Sequence, residues 1–439
     1  MKFDFQRKVL SKQDSKEVLQ IQNFQRKVLS KQSSKEHLQS QNFQRKVLSN
    51  GMTLLFEKRD IPVVSVAFAV RNGGINETEK EKGISHYIEH MLYKGTATRN
   101  SKQIAEEIEK NGGELNGFTG ELVTAYWCKM PADHLNVALE VLSDMVKNPL
   151  FDEKELEKER KVIFEEIKMR NDTPMICVFD KIPGCLYEKP LGTSLIGTEE
   201  TMNSIDKKKI LNKFNKIYNP NNMILCIVGD AEFEEVVKFA EKNFSKSKGQ
   251  VLDIKVSLKN ENKIEKRKGI DQANFIFAYD VPLAGQKKAY AAQVLSTLMA
   301  EGMSSRLFSE IREKRNLAYA VKGGSDINFK FAYNFIYVGT TSEKLDKVKK
   351  LILNEFKNVA ESLSEEELNQ IKKQLVGNYQ ISMEDSQTQM VNLLMAEIDG
   401  DAKEYYEFEK NILKVELEDV KDLAARVAEK NSSFSLIPD

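Results

Sequence analysis

The order of elements in this chain runs through once, halts at a lysine-rich stretch, and starts again. From residue 47 to residue 244 the sequence reads as strands and long helices. From Ala273 the pattern returns: a strand (NFIFAYDV), helices at 288–300 and 304–315, strands AYAVKGG and NFIYVGTT, then helices at 342–361 and 364–380. Between the two runs, SKSKGQVLDIKVSLKNENKIEKRKG (245–269) is Lys-rich and weakly apolar. It reads as a linker with one or two edge strands. A single core seldom grows past roughly 250–300 residues, and this chain has 439. Two α+β units of similar size follow, with too many hairpin signals for an all-parallel sheet. Each unit is expected to be a mostly antiparallel sheet with helices packed on it.

The first unit shows its elements plainly. VLSNGMTLLFEK places Asn50-Gly51 between two strand-like runs, the strongest short hairpin signal. In VVSVAFAV, Val64, Val66, Phe68 and Val70 share one face. Helices are expected at 79–93, 101–111, 132–147, 152–170, 203–216 and 232–244, with a buried strand at 223–230. Gly112-Gly113 stops the second of these helices.

The chain also begins by repeating itself. FQRKVLSKQDSKEVLQIQN (5–23) is followed by FQRKVLSKQSSKEHLQSQN (24–42), and a third FQRKVLS starts at Phe43. Three polar units are too few for a solenoid, which needs stacked apolar faces. Residues 1–42 therefore read as an appended tail that duplicates the first strand of the folded part. The expected division is 1–42 tail, 43–245 first domain, 246–268 linker and 269–439 second domain.

Composition excludes some function classes. Sixty-six basic and 66 acidic side chains leave no basic footprint for a generic nucleic-acid binder. No apolar run is long enough for a membrane span, and the N-terminus lacks the apolar core of a signal peptide. The four cysteines, Cys128, Cys177, Cys185 and Cys226, are irregularly spaced and set among apolar residues, unlike a disulfide framework or a four-cysteine metal site. A cytoplasmic location is the expectation.

Two of the four histidines lie within five residues: His86-Tyr87-Ile88-Glu89-His90. On a helix, positions i, i+3 and i+4 share a face. His86 and His90 can then offer two imidazoles to one ion with Glu89 beside them, the inverted H-x-x-E-H pattern. A bland alternative is a surface pair or a satisfied core pair. The apolar residues wrapped around the triplet argue against a solvated face, and a core would need partners for three polar groups. A catalytic zinc takes three protein ligands and keeps one position open. The charged helix 157–170 is the candidate source of the third, with Glu159 and Glu166 seven apart on one face. Its own bland reading is a solvated, salt-bridged helix.

HYIEHMLYKGT, followed 76 residues later by a glutamate in ERKVIFEEI, resembles the pitrilysin/insulinase family of zinc metallopeptidases. The likeness runs from about Phe43 to the C-terminus and is nearest to the branch of mitochondrial processing peptidase and its small bacterial homologues. The resemblance implies one Zn2+ per chain on His86, His90 and Glu166, with Glu89 as general base and Glu159 assisting. Glu165, adjacent, stays open as a contributor. GGELNGFTGELVTAYW is similar to the family's substrate-binding edge strand, which implies peptide contacts at Asn116, Gly117 and Phe118. YNPNNMILCIVGD and PLGTSLIGT also match. SSRLFSEIREKRNLAYAV resembles the segment bearing a substrate-gripping pair, here Arg312 and Tyr319.

The chain departs from the family pattern at two places. Ala300-Glu301-Gly302 stands where three glycines are common, which weakens any glycine-loop role in precursor capture. Gly117 stands where alanine is commoner, and should loosen the edge strand slightly.

Larger relatives hold two such halves in one chain, so the resemblance implies half of a clamshell. A homodimer would complete each site with the partner's arginine and tyrosine, and its substrate would be peptides or unfolded segments. The alternative from another class is a non-catalytic, peptide-binding partner subunit. Trp127 and Phe118 also read as packing residues, His134 as surface, and Cys226 as a buried thiol. His37 has no partner nearby in the sequence.

Overall fold

The computed structural model describes residues 42–439. The tail expected at 1–42 lies outside the described residues, apart from Asn42. The body Arg45–Asp439 is one compact unit built on two sheets.

The first sheet holds β1 (Phe43–Val47), β2 (Thr53–Lys58), β3 (Val63–Val70), β4 (Glu114–Thr119), β5 (Thr124–Pro131) and β6 (Met223–Gly229), in the order β1-β2-β6-β3-β5-β4. The second holds β7 (Asn262–Arg267), β8 (Ala273–Asp280), β9 (Ala318–Ile327), β10 (Ala332–Thr340) and β11 (Ser432–Pro438), in the order β7-β11-β8-β10-β9. Without β1, the two sheets have one topology: first, last, second, fourth, third. Each contains one parallel pair, β2 with β6 and β7 with β11. The inner strands are antiparallel in both. The α+β class and the likeness of the halves are therefore present in the strand order itself. Among the described residues, the third strand of that shared order, β4 or β9, is a sheet edge.

Local chemistry explains the first hairpin. Asn50 accepts the Met52 N–H at 3.0 Å and donates to the Phe244 carbonyl at 3.0 Å. Gly51, at φ +96°, turns the chain where a side chain would be strained. The long helix Glu153–Asp172 starts at Asp152, whose carboxylate accepts the N–H groups of Lys154 and Glu155.

The halves exchange helices. Ser386–Asp399, from the C-terminal part, packs on β3 and β6 of the first sheet. There Ser386 meets Ser65 at 2.9 Å, and Gln389 donates to Glu57 at 2.7 Å. Pro174–Lys181, from the N-terminal part, packs on β8 and β11. Its Phe179 ring lies edge-on to Phe335, with centroids 5.1 Å apart. The stretch between the helices expected at 152–170 and 203–216 thus contains helices that cover a sheet in the other half. A difference is at 304–315, expected to be a regular helix. It contains a π turn over Phe308–Glu313, in which Lys314 N–H reaches back to the Ser309 carbonyl at 2.9 Å. The wider turn keeps Leu307, Phe308 and Ile311 buried while Arg312 stays outside.

Glu397 is the main polar pin of the exchanged helix. Its carboxylate is 1% exposed and accepts from Arg45 at 2.7 and 2.8 Å and from Arg71 at 2.7 Å. Replacing it leaves two half-buried guanidinium groups without their acceptor. Glu397→Ala is expected to cost about 2–4 kcal/mol, read as a lower denaturant midpoint at unchanged slope. A loss below about 0.5 kcal/mol would show that this pin does not hold the helix to the sheet.

Candidate metal centre

The metal-site helix is Ile84–Leu92, packed against the helix Glu153–Asp172. Gly83 precedes it at φ +92°, where a Cβ would meet the Ile196 carbonyl oxygen at 2.6 Å. Glu77, fully buried, accepts the N–H of Gly83 at 2.9 Å and of Ser85 at 2.7 Å. A carboxylate at this end satisfies orphan donors and suits the helix dipole. Tyr87 donates to the Leu156 carbonyl at 2.5 Å and so ties the two helices together.

His86, His90 and Glu166 converge. The Nε2 atoms of the two histidines lie 3.2 Å apart, and Glu166 Oε2 is 3.4 Å from His86 Nε2 and 3.7 Å from His90 Nε2. Ligands of a tetrahedral zinc, bound at about 2.0–2.1 Å, stand about 3.3–3.4 Å from one another. The donor set of two imidazoles and one carboxylate, and its spacing, therefore fit zinc. Among the described residues this is the one group of three or more such donors close enough to hold an ion. Burial, then His90 and Arg170, push the His86 pKa down to about 3, so its ring is neutral, the form that binds a metal.

Glu159 and Glu166 share a helix face but do different things. Glu159 Oε2 lies 3.2 Å from His90 Nδ1, and its other oxygen accepts from Lys94 at 2.7 Å. This fixes the His90 ring with Nε2 turned toward Glu166. Glu165, left open by the sequence, is exposed and lies outside the donor set. Glu89 is half-buried, and Thr119 of β4 donates to its Oε2 at 3.1 Å. Burial raises the Glu89 pKa, with Glu166 adding to the rise, while His90 and the Thr119 bond oppose it.

Of the remaining expected site residues, four lie on the edge strands β4 and β9, and Arg312 lies in the π turn before β9. Asn116, Gly117 and Phe118 lie on β4, and Asn116 Oδ1 folds back to accept the Gly117 N–H at 2.8 Å. Tyr319 lies on β9, 53% exposed, with its hydroxyl 3.4 Å from that of Tyr337. Arg312 stacks over Phe308 at 4.8 Å and pairs loosely with Glu313. Among the described residues, no hydrogen bond or ion pair joins Arg312 or Tyr319 to the histidine–glutamate cluster.

Sequence reasoning missed Thr119, Tyr87, Lys94 and Arg170 as supports of the cluster. Each lies near a motif residue in sequence, but only the packing shows which atom it reaches. The four cysteines are buried and unpaired, and Trp127 is packed inside.

Comparison with known proteins gives the family of the chain. The family model described as insulinase, peptidase family M16, matches residues 52–199, and the one described as peptidase M16 inactive domain matches 204–375. An uncharacterized zinc protease of Rickettsia bellii is 33% identical over 339 residues, covering 76% of this chain and 82% of that protein. The uncharacterized zinc protease YmxG of Bacillus subtilis is 30% identical over 397 residues, covering 88% and 96%. The chain belongs to the insulinase, or M16, family of peptidases. Among solved structures, a protease from Helicobacter pylori superposes with a TM-score of 0.83 at 22% identity, covering 90% of this chain and 99% of the other, which supports the fold. No helix among the described residues is long and apolar enough to cross a membrane.

Proposed function

We propose that this protein is a zinc-dependent endopeptidase acting on peptides or unfolded segments. The observation that carries the reading is the convergence of His86, His90 and Glu166 beside Glu89 and the β4 edge. One zinc ion on those three residues supplies a Lewis acid that acidifies water and polarises a carbonyl. Glu89 takes a proton from the attacking water and returns it to the leaving amine as the C–N bond breaks. Glu159 keeps His90 oriented. An extended peptide adds to β4 as an extra strand, so recognition runs mainly through its backbone. Asn116 must release the Gly117 N–H or share it with the peptide. Water addition to a peptide bond needs no further co-reactant.

The reading includes a homodimer, each chain one half of a clamshell. Its support is that Arg312 and Tyr319 are exposed and unattached to the metal cluster of their own chain. A partner's pair then completes each site, with Tyr319 as the donor to the developing oxyanion. A closed chamber of this kind admits unfolded chain and excludes folded proteins.

The test is a mixing experiment on a quenched peptide. Glu89→Gln and Tyr319→Phe chains are each expected to be nearly inactive. After subunit exchange, about half the dimers are mixed and carry one intact site of two. About a quarter of wild-type activity should therefore return. Absence of recovery with exchange demonstrated would contradict shared sites. A chain that binds no zinc and cleaves nothing would instead be a non-catalytic binding subunit.

A further inference from the structure

Gly117 and Tyr93 form a matched pair beside Glu89. Tyr93 follows the metal-site helix and stands four residues after Glu89, on the same face. Its hydroxyl is buried and has no hydrogen-bond partner among the described residues. Tyr126, whose ring centroid lies 6.1 Å from that of Tyr93, is engaged with Tyr218, hydroxyl to hydroxyl at 2.7 Å. A Cβ on Gly117 would stand 2.4 Å from Tyr93 Oη and 2.8 Å from the Ala125 carbonyl oxygen. The same point is 3.5 Å from Glu89 Oε1. The tyrosine hydroxyl thus takes the room that an alanine side chain would need, and it shares that corner with the free oxygen of Glu89. Thr119 holds the other oxygen, Oε2.

This arrangement costs stability twice. A buried hydroxyl without a partner has lost its water, and a glycine weakens a strand. Phenylalanine facing Gly117 would fill similar volume without the first penalty. A buried polar group kept at such a cost calls for a use.

We propose that Tyr93 is a positioning residue for Glu89. When a peptide lies along β4 the Glu89 carboxylate turns, and the Tyr93 hydroxyl donates to Oε1 while Thr119 continues to donate to Oε2. The carboxylate is then held at both oxygens, and each oxygen keeps a lone pair for the proton it receives. Gly117 is the residue that lets the hydroxyl approach. This inference rests on the peptidase reading above.

The test uses the full zinc-loaded chain and steady-state cleavage of a quenched peptide. Tyr93→Phe is expected to lower kcat about tenfold with KM within about twofold, because the hydroxyl acts on the base and not on peptide affinity. Zinc content and melting temperature should not fall. Gly117→Ala alone drives a methyl into the hydroxyl and is expected to lose both stability and rate. Tyr93→Phe with Gly117→Ala relieves the clash with the hydroxyl but not the 2.8 Å approach to the Ala125 carbonyl oxygen, so it should regain part of the stability lost by Gly117→Ala yet keep the low kcat of Tyr93→Phe, which separates loss of the hydroxyl from loss of packing. An unchanged kcat in Tyr93→Phe, or a wild-type kcat in the double variant, would overturn the Tyr93 assignment and leave the peptidase standing. A zinc-loaded wild type that cleaves no peptide would overturn both.

Discussion

Glu89→Gln should hold a full complement of zinc and lose peptide cleavage by about 10²–10⁴-fold. Glu89 is not one of the three converging donors, so its exchange for an amide of the same shape leaves the ligand set intact. Thr119 can still donate to the amide oxygen at that position. What disappears is the acceptor for the water proton. The measurement is kcat on a quenched peptide together with metal content. A variant that keeps zinc and cleaves at the wild-type rate would remove Glu89 from the mechanism.

Glu166→Gln has the second large expected effect, and it falls on the metal. Glu166 Oε2 is 3.4 and 3.7 Å from the two imidazole nitrogens, and its charge balances the dication. A neutral amide is a poor zinc ligand, so two imidazoles remain where a catalytic site needs three protein ligands. Zinc affinity should fall by at least about 100-fold, a larger loss than that usual for a residue one step removed from the metal. Cleavage at low zinc should vanish and return in part at high zinc. This concentration dependence separates Glu166→Gln from Glu89→Gln, whose defect no zinc concentration repairs. Equal zinc affinity in Glu166→Gln and wild type would exclude Glu166 as a ligand.

The two glutamates also show how far the sequence could be read. Seven-residue spacing put Glu159 and Glu166 on one face but could not separate them. The separation depends on helix packing. The Tyr87–Leu156 bond sets one helix against the other so that Glu159 meets His90 Nδ1 and Glu166 meets Nε2 of both histidines. The histidine pair itself was legible because a helix fixes i and i+4 locally. Most strands were legible too, since alternation and Asn-Gly turns are local signals. The exchange of helices between sheets was not. An apolar face such as that of Phe179 shows that it must be buried, but not which sheet buries it. The π turn at Phe308–Glu313 was hidden for a similar reason, because the demand to bury Phe308 and Ile311 comes from the core around them. The glycine at position 117 looked like a small loss of strand stability. A side chain there would meet the Tyr93 hydroxyl, 24 residues away in the chain, and the Ala125 carbonyl oxygen, contacts that only the folded chain brings about.

On the proposed reading, one zinc ion on His86, His90 and Glu166 makes this chain a peptidase. Metal analysis of the purified wild type, joined to cleavage before chelation, after chelation and after zinc is returned, tests it most directly. One zinc per chain is expected, with cleavage that disappears with the metal and recovers on adding about one equivalent. Cleavage that persists in metal-free protein, or a zinc-loaded protein that cleaves no unfolded peptide, would contradict it.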